Sequence, residues 1–448
     1  MVVPTNDNSQ NDVHVIEKKC IPYKDLSVFS KGDEDYFKQF AHIYAKRLEQ
    51  LAHIVATRAE RKWESVQVVK LSELKDYEGK QCILIGTMFK HQPWKPSILR
   101  ELSDDHQLTM PPPRSTYCSD EDQLFLEDMM LRIKLVGNNV NINEAVTGTV
   151  CAVLGSEQQD GSFEVEDWCF PGCIPKPIAS TTSTKGKLII VSGLNLSETA
   201  ETLAVSVFSE LLCGLAGNAT VQEEEASVVR VIFAGNTVKY DTNTQIQTGH
   251  SEIKAQELAI SKDIVSATTK TDKFLAELAK CCCITLMPGQ YDPTNIMMPQ
   301  KPLHPCLLPQ SFRLKSFNGA TNPMVGKAGE RIVMGSSGQP IEDIMKTTAN
   351  HDSTPLEWLE KSLEWRHMCP TAPDTLPAIP YYDEDLFLMK NCPDIYFVGN
   401  TDAYETKLYK GQENQVVRLI SVPRFCTTHT AVMVDLESLE TNPITFCK

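Results

Sequence analysis

The sequence has no uninterrupted apolar run of the ~20 residues that a transmembrane helix requires. Its first residues, MVVPTNDNSQNDV, have neither the basic nor the apolar region of a secretory signal. Basic residues are also scarce: 43 stand against 58 acidic ones, and they form only short runs. A net charge of -15 disfavours unaided binding to a polyanion. These absences predict an intracellular protein that has no membrane contact and reaches nucleic acid only weakly or through a partner.

Catalytic signatures are absent as well. The pairs Gly186-Lys187 and Gly326-Lys327 are followed by Leu and Ala, so neither belongs to a phosphate-binding P-loop. There is no HExxH zinc motif, and the segment GSSG at 335–338 lacks the G-x-S-x-G spacing of a nucleophile elbow. The sequence therefore predicts no catalytic residue.

The 15 cysteines are an odd number and lie mostly in apolar strings, which is typical of reduced, buried thiols. Cys169 and Cys173 in CFPGC have the spacing of half a zinc knuckle. A structural zinc site needs a second Cys or His pair, and nothing nearby supplies one. We therefore predict structural cysteines here and no cofactor.

Length and composition indicate a soluble α/β (α+β multidomain) protein of two or three domains, with 42% hydrophobic and 23% charged residues. Residues 1–32 are predicted to be a polar tail, and 33–66 a helical segment. The helix, from Asp33 to about Trp63, has an apolar stripe at spacings of three and four: Phe37, Phe40, Tyr44, Leu48, Leu51 and Val55. Two alternatives stay open, since this stripe could pack on its own domain or dock a partner.

Residues 67–180 change to short strand-like runs. The predicted strands are 81–89, 131–137, 145–155 and 162–170. Several short strands over ~110 residues predict a small barrel of the OB type. Its aromatic residues are not interleaved with basic ones, so we expect a structural or protein-binding barrel rather than one that binds single strands.

A linker, STTSTKGK at 180–187, separates this barrel from a layered α/β domain predicted over 181–448. Strands and helices alternate there. The predicted strands are 187–191, 228–233, 282–287, 331–334, 394–398, 415–422 and 431–434, with helices at 197–215 and 271–280.

Four of these strands end in short glycine-containing loops. They are VSGLN at 191–195, AGN at 234–236, MPGQYD at 287–292 and VGN at 398–400. Strand ends that meet at one sheet edge are where ligands usually bind. The order of elements resembles the calcineurin-like metallophosphoesterases, whose corresponding loops carry the metal ligands D-x-H, G-D, G-N-H-[DE] and G-H-x-H. The resemblance implies a layered β-sandwich flanked by helices.

The matched positions of this chain lack most of those ligands. Only two of the matched positions carry a carboxylate, and the other six are neutral. The eight positions are Gly193, Asn195, Asn236, Gln290, Tyr291, Asp292, Asn400 and Asp402. Because amides are neutral and weak ligands, we expect no two-metal site and no hydrolysis. Asn195 with Glu198, and Asp292 before Pro293, are interpreted instead as helix caps.

Several strings are similar to the small, or B, subunits of eukaryotic replicative DNA polymerases, that of polymerase delta above all. They are VSGLNLS, MPGQYDPTNIMMPQKPLHPCLLP, GSSGQPIEDI, PDIYFVGN and VPRF...TAVMVDLESL. The resemblance implies a non-catalytic nuclear scaffold for replication and repair. Its partners would be the cysteine-rich C-terminal domain of the catalytic subunit and further accessory subunits. The alternatives are the corresponding subunit of polymerase alpha or epsilon, an active metallophosphodiesterase, or a single-strand-binding barrel.

Overall fold

The computed structural model describes residues 18–29, 39–95, 116–176, 184–199, 202–238, 250–349, 353–381 and 383–446, with backbone only over 198–199 and 250–263. The predicted start of the first helix at Asp33 and linker residues 180–183 lie outside these ranges. Within them, no helix combines the length and the apolar character that crossing a bilayer demands.

Helix α1 spans Ala41–Lys62 and carries Arg61 and Lys62 in its last turn, where cations complement the helix dipole. Its buried residues recur at every fourth position: Ile43, Arg47, Leu51, Val55 and Ala59. Leu51, Val55 and Ala59 pack against barrel residues that include Ile83, Ala152 and Leu154. Of the predicted stripe, Leu48, Leu51 and Val55 pack inside the chain, which supports the first of the two alternatives for this part of the helix. Phe40 is 43% exposed, and Phe37 lies outside the described residues.

The barrel is built from five strands in the order β3-β4-β5-β7-β6, and β6 pairs back onto β3 to close it. Alternate residues of the short strands point inward, as the burial of Leu124 and Leu126 in β4 and of Ile133 and Leu135 in β5 shows. A closed five-stranded barrel confirms the predicted architecture; β4 was missed. The strands are β2 Val68–Val69, β3 Cys82–His91, β4 Gln123–Glu127, β5 Arg132–Val136, β6 Val150–Glu157 and β7 Phe163–Cys169, with a 3₁₀ helix at Leu71–Tyr77.

Two six-stranded sheets form the α/β unit. One has the order β11-β10-β9-β8-β17-β18 and the other β1-β12-β13-β14-β16-β15. The strands are β1 Tyr23–Asp25, β8 Lys187–Val191, β9 Val228–Ala234, β10 Ile284–Met287, β11 Phe317–Gly319, β12 Met324–Ala328, β13 Arg331–Ser336, β14 Ile395–Thr401, β15 Glu405–Lys410, β16 Val416–Pro423, β17 Thr430–Asp435 and β18 Thr441–Thr445.

The two sheets pack face to face and helices cover their outer faces. Ile190 and Ile232 of one sheet meet Phe397 and Ile420 of the other in a shared core. The helices are α2 Leu196–Thr199, α3 Leu203–Leu212, α4 Ala219–Ala226, α5 His250–Cys281, α6 Gln339–Thr347, α7 Pro355–Glu364 and α8 Phe425–Thr428, with a 3₁₀ helix at Ser311–Arg313. The outer layers are helical, and two four-residue helices, α2 and α8, lie near the loops. Helices α3 and α5 cover the first sheet, and α6 and α7 the second, which gives the expected layered unit.

The N-terminal segment departs from the prediction of a polar tail over 1–32. Residues 23–25 form β1, which pairs antiparallel with β12 at the edge of the second sheet. The Tyr23 ring stacks on the Arg230 guanidinium at 3.8 Å, and both side chains lie largely out of solvent. An edge strand this short has no periodicity that sequence inspection can detect. The domain division near residue 180 stays a prediction.

Arg47 joins helix α1, the barrel and the α/β unit through one fully buried guanidinium. It donates to the Asp385 carboxylate at 2.6 Å, and to the carbonyls of Gly148 at 2.9 Å, Pro370 at 2.8 Å and Ala372 at 2.7 Å. Gly148 has φ +88°, and a Cβ there would overlap the Pro370 carbonyl and the guanidinium. The two units therefore meet where glycine at position 148 leaves room for the Arg47 guanidinium.

His367 completes this ionic group, because its Nε2 lies 2.9 Å from the Asp385 carboxylate. Burial, together with the nearby Arg47 charge, lowers the pKa of His367 to about 4, so the ring is neutral at pH 7. The pKa of Asp385 is held below its ordinary value against desolvation, by Arg47 first and His367 second.

Candidate functional site

The carboxyl ends of parallel strands β8, β9 and β10 lie at one edge of the sandwich, and their loops contact one another. Gly193 N–H donates to the Gly235 carbonyl at 2.9 Å, and Asn195 N–H donates to the Asn236 carbonyl at 3.1 Å. The end of β14 joins them from the other sheet, since the Asn400 side-chain oxygen lies 2.7 Å from where a Cβ on Gly193 would be. Four sequence-distant loops are thus brought to one place.

Three asparagines at these strand ends have left-handed backbone: Asn195 with φ 51°, Asn236 with φ 52° and Asn400 with φ 58°. Asparagine tolerates this conformation better than other residues with a Cβ because its short polar side chain bonds locally. The Asn195 carbonyl oxygen on the side chain accepts from the Ser197 hydroxyl at 2.7 Å. The three residues therefore turn the chain sharply where each strand ends.

Asn400 links the two sheets with its side-chain amide. Its Nδ2 donates to the carbonyls of Ala234 at 3.1 Å and Ser337 at 2.7 Å, and its backbone N–H donates to the Ser192 hydroxyl at 2.9 Å. Each of these partners belongs to a different strand end. The amide at this position thus serves as a connector between the two halves of the sandwich.

Asp292 is buried beneath the loops, and backbone amides surround its carboxylate. Oδ1 accepts from Val238 N–H at 2.8 Å, and Oδ2 accepts from Gly289 N–H at 2.9 Å and Thr237 N–H at 3.3 Å. Burial raises the pKa of Asp292, and these backbone donors oppose that shift. The predicted helix cap is wrong here, because turns rather than a helix follow Pro293. The carboxylate instead holds the loop after β9 against the loop after β10.

Asn236 reinforces the same junction. Its side-chain oxygen accepts from Tyr291 N–H at 3.1 Å, and a Cβ on Gly289 would overlap both the backbone nitrogen and the side chain of Asn236. The two loops therefore approach too closely for any residue other than glycine at position 289.

Gln290 and Asp402 lie on the solvent side of the loops. Asp402 is 88% exposed and forms an ion pair with Arg424. The eight predicted positions thus separate into an inner group that holds loops together and an outer group in solvent.

A second set of amides lies beside the inner group, and the sequence search missed it. Asn322 Nδ2 shares its two N–H groups among three acceptors: Gln300 Oε1 at 2.8 Å, Ser337 Oγ at 2.6 Å and Gln339 Oε1 at 2.9 Å. Gln300 in turn donates to the Gly289 carbonyl at 3.1 Å. Neutral amides belong to no catalytic sequence motif. Gln300 and Gln339 nevertheless lie in MPQKP and GSSGQP, which are parts of the strings that carry the family resemblance.

This edge offers few groups that could bind a cation. Two-metal phosphoesterase chemistry needs several carboxylates and imidazoles to hold the ions and activate water. Across the described ranges, no three His, Cys, Asp or Glu side chains lie close enough together to hold a metal ion. The side chains that do converge are amides, hydroxyls and one carboxylate already bonded to three backbone N–H groups. The polar side chains at this edge thus bond the loops to one another.

Comparison with known families matches two parts of the chain. The DNA polymerase delta subunit OB-fold domain matches residues 39–168, which hold α1 and the barrel. The family of the B subunits of DNA polymerases alpha and epsilon matches residues 188–407, which run from β8 into β15 and include the converging loops.

Curated relatives match over nearly the full length. DNA polymerase delta subunit 2 of Drosophila melanogaster is 38% identical over 428 residues, 95% of this chain and 97% of the relative. The chain belongs to the DNA polymerase delta small subunits. The DNA polymerase delta small subunit of Oryza sativa subsp. japonica is 34% identical, and the alignment covers 96% of this small subunit and 99% of the relative. That of Saccharomyces cerevisiae is 30% identical, and the alignment covers 92% of this small subunit and 90% of the relative.

In this polymerase delta small subunit, the OB-fold domain is now identified both by its closed strand order and by its family. The family match across 188–407 takes in Asn195, Asn236, Asp292 and Asn400 together with the amides of the neighbouring network.

Proposed function

We propose that this chain is a non-catalytic scaffold of a nuclear DNA polymerase delta complex. It bridges the cysteine-rich C-terminal domain of the catalytic subunit and a further accessory subunit, and it contacts DNA only indirectly. Its α/β unit is a calcineurin-like phosphoesterase fold whose metal positions have become structural. Membership in the small-subunit family supports the first part, and the chemistry of the loop edge supports the second.

One observation carries the loss of catalysis in this proposal. Asn236, Asn400 and Asp292 occupy the strand ends where metal ligands would stand, and each already bonds to the backbone of a neighbouring loop. Turning Asp292 toward a cation would break three hydrogen bonds to buried N–H groups, each of which costs about 1–3 kcal/mol when left unsatisfied. A metal would have to displace the bonds that hold the edge together.

Metal analysis of the full-length chain tests this part. The chain is incubated with excess Mn²⁺, desalted, and analysed for bound metal and for hydrolysis of bis(p-nitrophenyl) phosphate, with an active phosphodiesterase as the positive control. We expect less than one ion per chain and hydrolysis equal to the buffer rate. Two retained ions together with metal-dependent hydrolysis would establish the alternative, an active phosphodiesterase.

The barrel presents a surface suited to a partner. Met129, Met130 and Leu131 form the turn between β4 and β5, and Met130 is 85% exposed. The Asp128 carboxylate fixes this turn by accepting from Met130 N–H at 2.7 Å and Leu131 N–H at 2.8 Å. Three consecutive exposed apolar side chains on a fixed turn form a patch rather than a scattering of single residues. We infer that a partner subunit covers this turn.

Co-expression with the other polymerase delta subunits tests the scaffold role. The double variant Met130→Asp and Leu131→Asp should lose at least one subunit on affinity purification, because charges placed in an apolar interface are costly to bury. Lys134→Asp, on the adjacent exposed strand face, is the matched control and should retain all subunits. Full retention by the double variant would remove this turn from the interface, whereas failure of the unaltered chain to co-purify with any subunit would refute the scaffold itself.

A further inference from the structure

Cys173 and Cys392 bring two sulfur atoms within 3.7 Å of each other, although 219 positions separate them in the chain. Cys173 lies in the segment that leaves the barrel after β7, and Cys392 lies in the loop that precedes β14 of the second sheet. Both thiols are buried, at 3% and 6% exposure. The pair therefore spans the junction between the barrel and the α/β unit.

Charged side chains of both signs lie near this pair. Lys176 bonds to Asp394, two residues beyond Cys392, and Arg366 donates to the carbonyls of Gly172 at 2.6 Å and Cys173 at 3.3 Å. The Cys173 thiol and the nearby Lys176 and Arg366 charges lower the pKa of Cys392 against the effect of burial. The hydrogen bond with Cys392 and burial raise the pKa of Cys173. The two sulfurs thus share one hydrogen bond, in which either can be the donor and which stabilises a thiolate on its partner.

Small molecules can reach this place. A cavity of about 680 Å³ lies between the end of α1, the barrel exit and the β15–β16 turn, and Cys173 lines it together with Arg58, Arg61 and Tyr409. A hydroperoxide is far smaller than this volume. The Cys173 sulfur is therefore accessible to a small oxidant from one side of the pair.

We propose that Cys173 and Cys392 are a hydroperoxide-sensitive dithiol that closes to a reversible disulfide and locks the barrel to the α/β unit. A bond of about 2.0 Å requires the sulfurs to approach by under ~2 Å, which side-chain rotation can supply without unfolding. Neither cysteine belongs to the loop edge described above, so this inference is independent of the proposed scaffold role.

The reaction balances with one molecule of hydrogen peroxide. The thiolate of the pair attacks a peroxide oxygen, the O–O bond breaks, and a sulfenic acid forms with release of hydroxide. The remaining thiol then attacks the sulfenic sulfur and expels its oxygen, which leaves as water with the proton of that thiol. Two thiols are oxidised by two electrons and the peroxide is reduced to two equivalents of water. A cellular dithiol reverses the step by exchange.

Disulfide mapping on the full-length chain tests the pair. The chain is treated with hydrogen peroxide at pH 7.5, alkylated without reductant, digested and analysed by mass spectrometry. We expect a cross-linked peptide that contains Cys173 and Cys392, formed in most molecules and lost after dithiothreitol. The oxidised chain should unfold at a higher temperature, by roughly 5 °C or more, because the bond closes a long loop in the unfolded state.

Variants separate this pair from general oxidation. Cys392→Ser should abolish the cross-link and the thermal shift and leave Cys173 open to irreversible over-oxidation. Cys369→Ser removes another buried thiol of the same core and should retain both effects. Alkylation of both Cys173 and Cys392 after peroxide treatment of the unaltered chain, or a cross-link that joins other cysteines instead, would overturn the proposal without any variant.

Discussion

Replacing Arg47 by methionine should destabilise the chain strongly, because it leaves a buried charge without its partner. Methionine retains the length of the side chain and its apolar stem, so the change isolates the guanidinium. Four buried acceptors lose their donor, namely the Asp385 carboxylate and three backbone carbonyls. Breaking a buried ion pair from one side costs about 3–5 kcal/mol. We expect a loss in that range even where water enters to solvate part of the site.

Urea unfolding of the purified chain measures the effect, followed by both tryptophan fluorescence and circular dichroism. Arg61→Met is the matched control, since Arg61 lies on the same helix in solvent, and such a surface change usually alters stability by no more than about 0.5 kcal/mol. A third variant, Arg47→Met with Asp385→Leu, removes both charges and should recover part of the loss. Equal unfolding midpoints for Arg47→Met and Arg61→Met would refute the reasoning, and so would a double variant no better than the single one.

Three further predictions concern other buried groups. The pKa of His367 is about 4 in the folded chain and 6.5 in the unfolded chain, so the free energy of unfolding should fall by about 3 kcal/mol in total as the pH drops from 6.5 toward 4. The urea midpoint of His367→Gln should depend less on pH across this range than that of the unaltered chain. Burial raises the pKa of Glu225 to about 7, so the stability that its protonated form contributes is fully present below pH 4.5 and is lost as the pH rises through 7. Glu225→Gln should therefore raise the melting temperature more at pH 8.5 than at pH 5, and the opposite order would contradict this prediction. Asp292→Ala should cost about 3 kcal/mol or more through three unsatisfied backbone donors and speed proteolysis of the loops at 237–238 and 289, whereas Asp402→Ala should change neither.

The sequence predicted the buried strands of the sandwich better than its edges. LIIV in β8 is a continuous apolar run and VVRVIFA in β9 is interrupted only by Arg230, which is typical of central strands covered on both faces. Edge strand β15, ETKLYK, is half exposed and polar, and β1 is three residues long, so neither has a clear pattern. Such strands are defined by their pairing partners far along the chain, which periodicity does not record.

The candidate site divides in the same way. Asn236, Asp292 and Asn400 were identified because each directly follows an apolar strand, where parallel sheets gather their loops. Asn322 and Gln300 were missed because they stand in irregular segments and carry no charge. Arg47 was missed because an arginine within a helical stripe is ordinarily interpreted as solvent-facing. Buried polar partners depend on tertiary geometry that one sequence does not reveal.

The early edge strand β1 has a consequence for how the polypeptide is made. Tyr23 leaves the ribosome long before Ala328, its partner in β12, and the entire OB-fold domain is synthesised in between. The second sheet therefore cannot be completed until β12 has been synthesised and pairs with β1. Until then Arg230 lacks the Tyr23 ring that shields it. Shortened versions that begin at the first helix would keep both family-matched regions and yet expose this cation and an unpaired sheet margin, a natural place for unwanted self-association.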